Sequence, residues 1–165
     1  MHAPEDREGL GRRPGGAARK VLAIASSGGH WTELVRLKAA FRGHAVTWVT
    51  TNEGYRDSAP PGRFYVIRDA NRWDKKGLVV MLTQIARILW KVRPDVVIST
   101  GAAPGYFALR LGRTLGARTA WVDSVANAEE LSLSGLKVGP YADLWLTQWE
   151  HLATRDGPDF RGRVL

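Results

Sequence analysis

The sequence predicts an open α/β domain: a doubly wound parallel sheet with helices on both faces. Three observations lead there. Short apolar runs rich in branched residues alternate with stretches of helical periodicity. Two of the strand-to-helix turns are made of small residues and glycine. The 165 residues are enough for one core of this kind and too few for two full domains.

Residues 1–18 are rich in Gly, Pro, Arg and Glu without apolar periodicity. They read as a flexible tail ahead of one domain over 19–165. The first strand is expected at 21–25, apolar throughout and so buried on both faces. Ser26-Ser27-Gly28-Gly29 then turns into a helix that aligns Leu34, Leu37, Lys38 and Phe41 and stops at Gly43. Strands follow at 46–50 and 64–67. A long apolar helix is expected over 77–91, ended by Pro94. In it Leu78, Leu82, Ile85 and Leu89 form the stripe toward the sheet, leaving Val79, Met81, Ile88 and Trp90 at its edges. A strand at 96–99 leads to a helix over 104–115, with Pro104 in its first turn and Gly116 past its end. Strands at 119–122 and 144–146 complete the sheet.

Composition narrows the function. Hydrophobic residues make up 44% and charged residues 24%, an ordinary globular balance that excludes a disordered chain. With no cysteine there is neither a disulfide framework nor a thiolate metal site, and no metal or cofactor is expected. The formal charge of +8 favours anionic partners such as phosphates or acidic headgroups. No uncharged apolar run reaches the roughly 20 residues that span a bilayer. The N-terminus also lacks the apolar stretch of a secretion signal. A cytoplasmic domain, soluble or peripheral on a membrane, is the expectation.

Three places could carry chemistry. The first is Ser26-Ser27-Gly28-Gly29-His30-Trp31-Thr32-Glu33, at the carboxyl end of the first strand, where open α/β sheets bind ligands. Ser27, Gly28 and Gly29 would bring backbone amides and a positive helix end to an anion. Histidine titrates nearest neutral pH, so His30 could take a proton from a hydroxyl, with Glu33 orienting it. The same residues equally suit a tight turn in which His30 caps the helix and Glu33 completes the cap. Neither G-x-G-x-x-G nor the phosphate-loop pattern is present. The second place is Ser99-Thr100-Gly101-Ala102-Ala103-Pro104-Gly105-Tyr106. There Thr100, Gly101 and Gly105 would set a second helix end against the same crevice, an arrangement suited to a diphosphate or a sugar phosphate. Small residues are also common in plain connections of this type.

The third is 63–93, which holds eight Lys or Arg against two Asp. Arg72, Lys75, Lys76, Arg87, Trp90 and Lys91 flank or sit on the apolar helix, as in an interfacial membrane anchor or a partner-docking helix. Crowding by neighbouring loops would explain the same pattern. Nucleic acid fits poorly, because the cations flank an apolar helix and are not interleaved with exposed aromatics.

These motifs are similar to a known family. The Gly28-Gly29-His30 turn followed by Glu33 resembles the Gly-Gly-His-x-x-Glu signature of the asparagine-linked glycosylation protein fourteen family. Val122-Asp123-Ser124-Val125-Ala126-Asn127-Ala128-Glu129-Glu130-Leu131-Ser132-Leu133-Ser134-Gly135, Ala142-Asp143-Leu144-Trp145-Leu146-Thr147-Gln148-Trp149-Glu150 and the ending Gly162-Arg163-Val164-Leu165 resemble its other hallmarks, in order along the chain. The resemblance implies the N-terminal-type, acceptor-side lobe of a split GT-B glycosyltransferase with a Rossmann-like sheet. A separate donor-binding subunit would form a heterodimer with it and supply the UDP-sugar. The acceptor would be a polyprenyl-diphosphate-linked sugar at an anionic membrane surface. Within that frame His30 is the expected base and Glu33 its support, with Glu129 and Glu130 as alternatives. Trp145, Gln148 and Trp149 would dock the partner. A scaffold that recruits and activates the transferase without touching substrate is the competing expectation. Eukaryotic members begin with a membrane-spanning helix, whereas this chain begins with a polar tail.

Overall fold

The computed structural model describes residues 17–71 and 73–164. The expected tail therefore falls, for 1–16, outside the described residues, as do Arg72 and Leu165. Seven strands form one sheet in the order β3-β2-β1-β4-β5-β6-β7, parallel throughout. They are β1 Lys20–Ile24, β2 Ala45–Thr50, β3 Arg63–Val66, β4 Val96–Ser99, β5 Arg118–Val122, β6 Leu144–Thr147 and β7 Asp159–Phe160. Four helices connect them: α1 Gly29–Arg36, α2 Lys75–Val92, α3 Ala102–Thr114 and α4 Leu133–Val138.

The two faces of the sheet are unequally covered. One core joins Leu22, Ile24, Val49, Val97 and Trp121 to the inward sides of α2, α3 and Val138 of α4. The other joins Val21, Ala23 and Trp48 to Trp31, Leu34 and Phe41 of the α1 segment. On that second face Val96, Ile98 and Leu146 are only half-buried and Leu144 is exposed, because no helix follows α1 there.

Three local details differ from the sequence expectation. The first helix is α only to Arg36 and continues as a 3-10 segment, Leu37–Phe41. This tighter winding sets the Phe41 ring 5.8 Å from that of Trp48. In α2, Met81 and Ile88 are buried together with Ile85, Leu89 and Val92, so they belong to the core stripe and not to its edges. The reason is that α2 packs against α3 as well as the sheet, which broadens its inward face. The short α4 and the two-residue β7 carry too few periodic positions to be read from sequence.

Close approach between α3 and β4 explains two glycines. A Cβ at Gly112 would stand 2.7 Å from Cγ2 of Val97, and one at Gly105 would overlap the Ser99 hydroxyl. Gly105 is thus buried as a packing residue, which removes it from the expected ligand contacts.

Asp143 ties β6 to its neighbours. Its carboxylate accepts from the Thr119 amide at 2.8 Å and from Arg113 Nη1 at 2.7 Å. Burial pulls this carboxyl upward, but the Thr119 amide and hydroxyl and the Arg113 guanidinium outweigh it and hold it below its ordinary value. A carboxyl depressed by folding stabilises the fold above its unfolded pKa, and that contribution is lost as pH falls through the folded one. Asp143→Asn should therefore cost about 1 kcal/mol at pH 7. The difference from wild type should shrink below about pH 3.9, the ordinary aspartate value. Urea denaturation across that range measures both.

Candidate active site at the strand-order reversal

Strand order reverses between β1 and β4, whose chains leave the sheet toward opposite faces into α1 and α3. The crevice at their carboxyl ends is where open sheets bind ligands. α1 starts from Gly28 (φ 74°) and α3 from Gly101 (φ 149°), and neither helix has a side-chain cap. First-turn amides lack intrahelical partners, so Gly29, His30 and Trp31 of α1 and Ala102 and Ala103 of α3 turn open donors to this space. Ala102 itself has φ 63°, a left-handed conformation that costs a non-glycine residue about 1 kcal/mol.

His30 bridges the two turns. Its Nδ1 lies 3.1 Å from the Thr100 carbonyl, and the Thr100 hydroxyl donates to the His30 carbonyl at 2.6 Å. A carbonyl can only accept, so Nδ1 carries the proton and Nε2 of the neutral ring is left with a bare lone pair. Nε2 has no protein partner among the described residues. Gly101 is required beneath the ring, because a Cβ there would run into Nδ1 and Cε1 of His30. The Gly101 amide is held by Ser99 Oγ at 3.1 Å.

Two amides expected to face a ligand are already occupied. The Ser27 amide donates to Thr51 Oγ1 at 3.1 Å, and the Gly28 amide donates to the Tyr55 hydroxyl at 2.9 Å. Both acceptors come from the segment that follows β2. Tyr55 sits in a 3-10 turn, Glu53–Ser58, and stacks on Trp31 with the rings 5.3 Å apart and 4° from parallel. Sequence reasoning missed Thr51 and Tyr55, since they lie more than twenty residues from the Ser27 and Gly28 amides they accept from.

Glu33 does not reach His30. It is 4% exposed and accepts from Ser124 Oγ at 2.7 Å, Gln148 Nε2 at 2.7 Å and the Val125 amide at 3.4 Å. Among the described residues no hydrogen bond or ion pair joins the two side chains. The carboxylate serves as a buried acceptor that fastens α1 to the ends of β5 and β6, so the expected support for His30 is withdrawn. Asp123 organises the adjoining loop, accepting from Trp121 Nε1 at 3.1 Å and Ser132 Oγ at 2.7 Å. Glu129 and Glu130 are exposed on that same loop.

The expected partner-docking residues are also engaged within the chain. Gln148 is 1% exposed, with its oxygen accepting from the Val164 amide at 2.9 Å, so it offers nothing to a partner. Trp149 is half-buried: its indole donates to the Val125 carbonyl at 2.8 Å and the Arg163 guanidinium lies 4.1 Å from the ring centre. Trp145 packs against the α2–α3 core, where Gly139 makes room for its ring. Of the expected membrane-facing residues, Lys75, Lys76, Arg87, Trp90 and Lys91 are all exposed on α2. Trp90 is 67% exposed, with the Arg93 guanidinium 4.6 Å from its ring centre. A cavity of about 470 Å³ lined by Arg19, Trp90, Arg93 and Arg118 opens at the opposite, amino-terminal end of the sheet. No crevice residue lines it. We base the site on the crevice, where the open amides and the free imidazole nitrogen converge.

Removing Glu33 tests its place in the structure. Glu33→Ala leaves the Ser124 hydroxyl and the Gln148 amide buried without an acceptor, and should lower stability by about 2–4 kcal/mol. Chemical denaturation of the purified variant reads this directly; unchanged stability would contradict the buried network.

No family model matches the chain. It is similar in sequence to the UDP-N-acetylglucosamine transferase subunit ALG14 of Eremothecium gossypii, with 30% identity over 181 residues, covering 90% of this chain and 80% of that relative. The ALG14 subunit of Yarrowia lipolytica is 25% identical over 180 residues, covering 91% of this chain and 82% of its own. In structure the domain superposes on MurG of Acinetobacter baumannii with a TM-score of 0.69 at 14% identity, over 85% of this chain and 44% of that one. That likeness establishes the fold, a single GT-B-type lobe. Sequence similarity sustained along most of both chains, on that lobe, makes this protein a member of the ALG14 family of UDP-N-acetylglucosamine transferase subunits.

Proposed function

We propose that this chain is the acceptor-side subunit of a two-chain glycosyltransferase. A separate donor-binding subunit would present a UDP-sugar, N-acetylglucosamine if the relatives' names carry over, and the acceptor would be a polyprenyl-diphosphate-linked sugar. The observation that carries the catalytic part is the Nδ1–Thr100 carbonyl hydrogen bond, which leaves Nε2 of His30 as a base in the crevice. As an acceptor hydroxyl oxygen bonds to the anomeric carbon, its proton passes to Nε2 and UDP leaves with the electrons of the broken carbon–oxygen bond. The open amides of Gly29, His30, Trp31, Ala102 and Ala103 supply positive ends for the acceptor diphosphate. No metal or cofactor enters this scheme.

A scaffold that recruits and activates the transferase is the second reading, and the burial of Glu33 favours it by removing one catalytic candidate. His30→Ala in the coexpressed complex separates the two. The Thr100 hydroxyl bond goes to the His30 backbone, so the turn survives the change. We expect at least about a 10²-fold fall in turnover with the complex still assembled. Unchanged turnover leaves the scaffold.

Membrane contact is the remaining part of the proposal, with the chain peripheral on the inner face of the cell membrane. Among the described residues no helix is long and apolar enough to cross a membrane. α2 runs from the crevice end of the sheet to its far end, so Lys76 and Lys91 are about 22 Å apart along the helix axis. A bilayer touching both must lie along the exposed flank that carries Val79, Val80, Arg87 and Trp90. Each cation near an anionic surface contributes about 1 kcal/mol, screened by salt. Binding to anionic vesicles should fall as salt rises, and fall further when Lys75, Lys76, Arg87 and Lys91 become Gln. A wild-type chain that ignores anionic vesicles at low salt, alone and with its partner subunit, would refute this contact.

A further inference from the structure

Among the described residues the Tyr55 hydroxyl at the crevice is half used, and unlike the Thr51 hydroxyl it sits on a long, ring-stacked side chain. It accepts from the Gly28 amide at 2.9 Å, and its own proton has no partner among the described residues. The phenol is held in place from two sides. Its ring stacks on the buried Trp31, and the same segment is fastened one residue deeper, where Thr51 accepts from the Ser27 amide. Gly28 itself is exposed and open, with no heavy atom within 4 Å of where a Cβ would stand, so a ligand can approach from that side. A hydroxyl that accepts from an amide is polarised toward donating its own hydrogen.

We propose that Tyr55 is a ligand-binding residue of the crevice, donating a hydrogen bond from its hydroxyl to a diphosphate oxygen of the acceptor. The proposal rests on the reading of the crevice as a diphosphate site. It changes that reading in one respect. The Gly28 amide serves indirectly, by setting Tyr55 so that the donor stands a hydroxyl's length further into the crevice. The neighbouring open amides of Gly29, His30 and Trp31 would hold the remaining oxygens. In this arrangement the ring-stacked phenol and the His30 imidazole bridged to Thr100 would both contact the bound acceptor.

Tyr55→Phe tests this without dismantling the fold. The Phe ring keeps the stack on Trp31 and still covers the Gly28 amide, so neither the amide nor a hydroxyl reaches the ligand. The probe is inorganic pyrophosphate, titrated into the full chain by calorimetry, with amide chemical shifts locating the site. Wild type should bind with shifts at Gly29, His30 and Trp31. Tyr55→Phe should bind about tenfold or more weakly, the usual loss for one hydrogen bond to a charged group, while remaining folded with a small fall in thermal midpoint from the lost Gly28–Tyr55 bond. Equal or tighter binding by Tyr55→Phe overturns the role of Tyr55 and leaves the crevice reading standing. A wild-type chain whose Gly29–Trp31 amides do not respond to pyrophosphate overturns both.

Discussion

One buried carboxylate holds this site together. Glu33 gathers donors from Ser124, Val125 and Gln148, residues 91 to 115 positions away along the chain. Gln148 in turn donates to the Asp123 carbonyl at 3.0 Å and accepts from Val164. The first helix, the loop after β5, the end of β6 and the C-terminal segment are thereby joined at a single point that water does not reach. Leaving any of these donors without an acceptor costs more than a typical hydrogen bond gains, so the arrangement is all-or-none. α1 is fixed in rotation by Glu33 on one side and by the Trp31–Trp48 packing, with rings 5.9 Å apart, on the other. His30, three residues before Glu33, inherits its direction from that constraint.

Around this anchor the two turns of the crevice divide their polar groups between structure and ligand. Ser99, Thr51 and Tyr55 satisfy amides of Gly101, Ser27 and Gly28, while Thr100 uses both of its oxygens on His30. What is left open among the described residues is small and directional: the first amides of two helices, one imidazole nitrogen and the hydroxyl proton of Tyr55. Both helices aim their positive ends at the same space, so the crevice favours an anion before any cationic side chain is counted. The left-handed Ala102 and the side-chain-free Gly101 let the α3 turn pass under the imidazole.

The net positive charge lies elsewhere. Lys75 and Lys76 stand at the crevice end of α2, whereas Lys91 and Arg93 stand at the far end beside the Arg19 and Arg118 rim. Lys91 lies over the Tyr65 ring at 5.6 Å and Arg93 over Trp90 at 4.6 Å, so both cations rest on aromatic faces and not on carboxylates. Such cations keep their charge available to a partner while their stems cover apolar surface. The exposed cations of α2 therefore lie along the helix flank, whereas the positive ends at the crevice come from backbone geometry.

The sequence alone determined the architecture. Branched apolar runs of strand length, helical stripes between them, and glycine turns at two strand ends follow from local periodicity and backbone freedom, and all six of the expected strands occur where those signals fall. It also marked Gly28, Gly29, His30, Thr100 and Gly101 as neighbours of one crevice, because a parallel sheet puts the turns after β1 and β4 side by side. Tertiary structure decided which polar groups remain free. Glu33 and Gln148 look functional in sequence but are consumed in the core, since the partners of Glu33, Gln148 among them, come from more than ninety residues away and no local pattern encodes that meeting. Gly105 is a packing residue because α3 lies against Ser99, and Tyr55 enters the site only through the fold of the segment after β2. Periodicity reports the face on which a side chain lies, but the hydrogen-bond partner it finds there is set by distances between distant segments, and only the folded chain defines those.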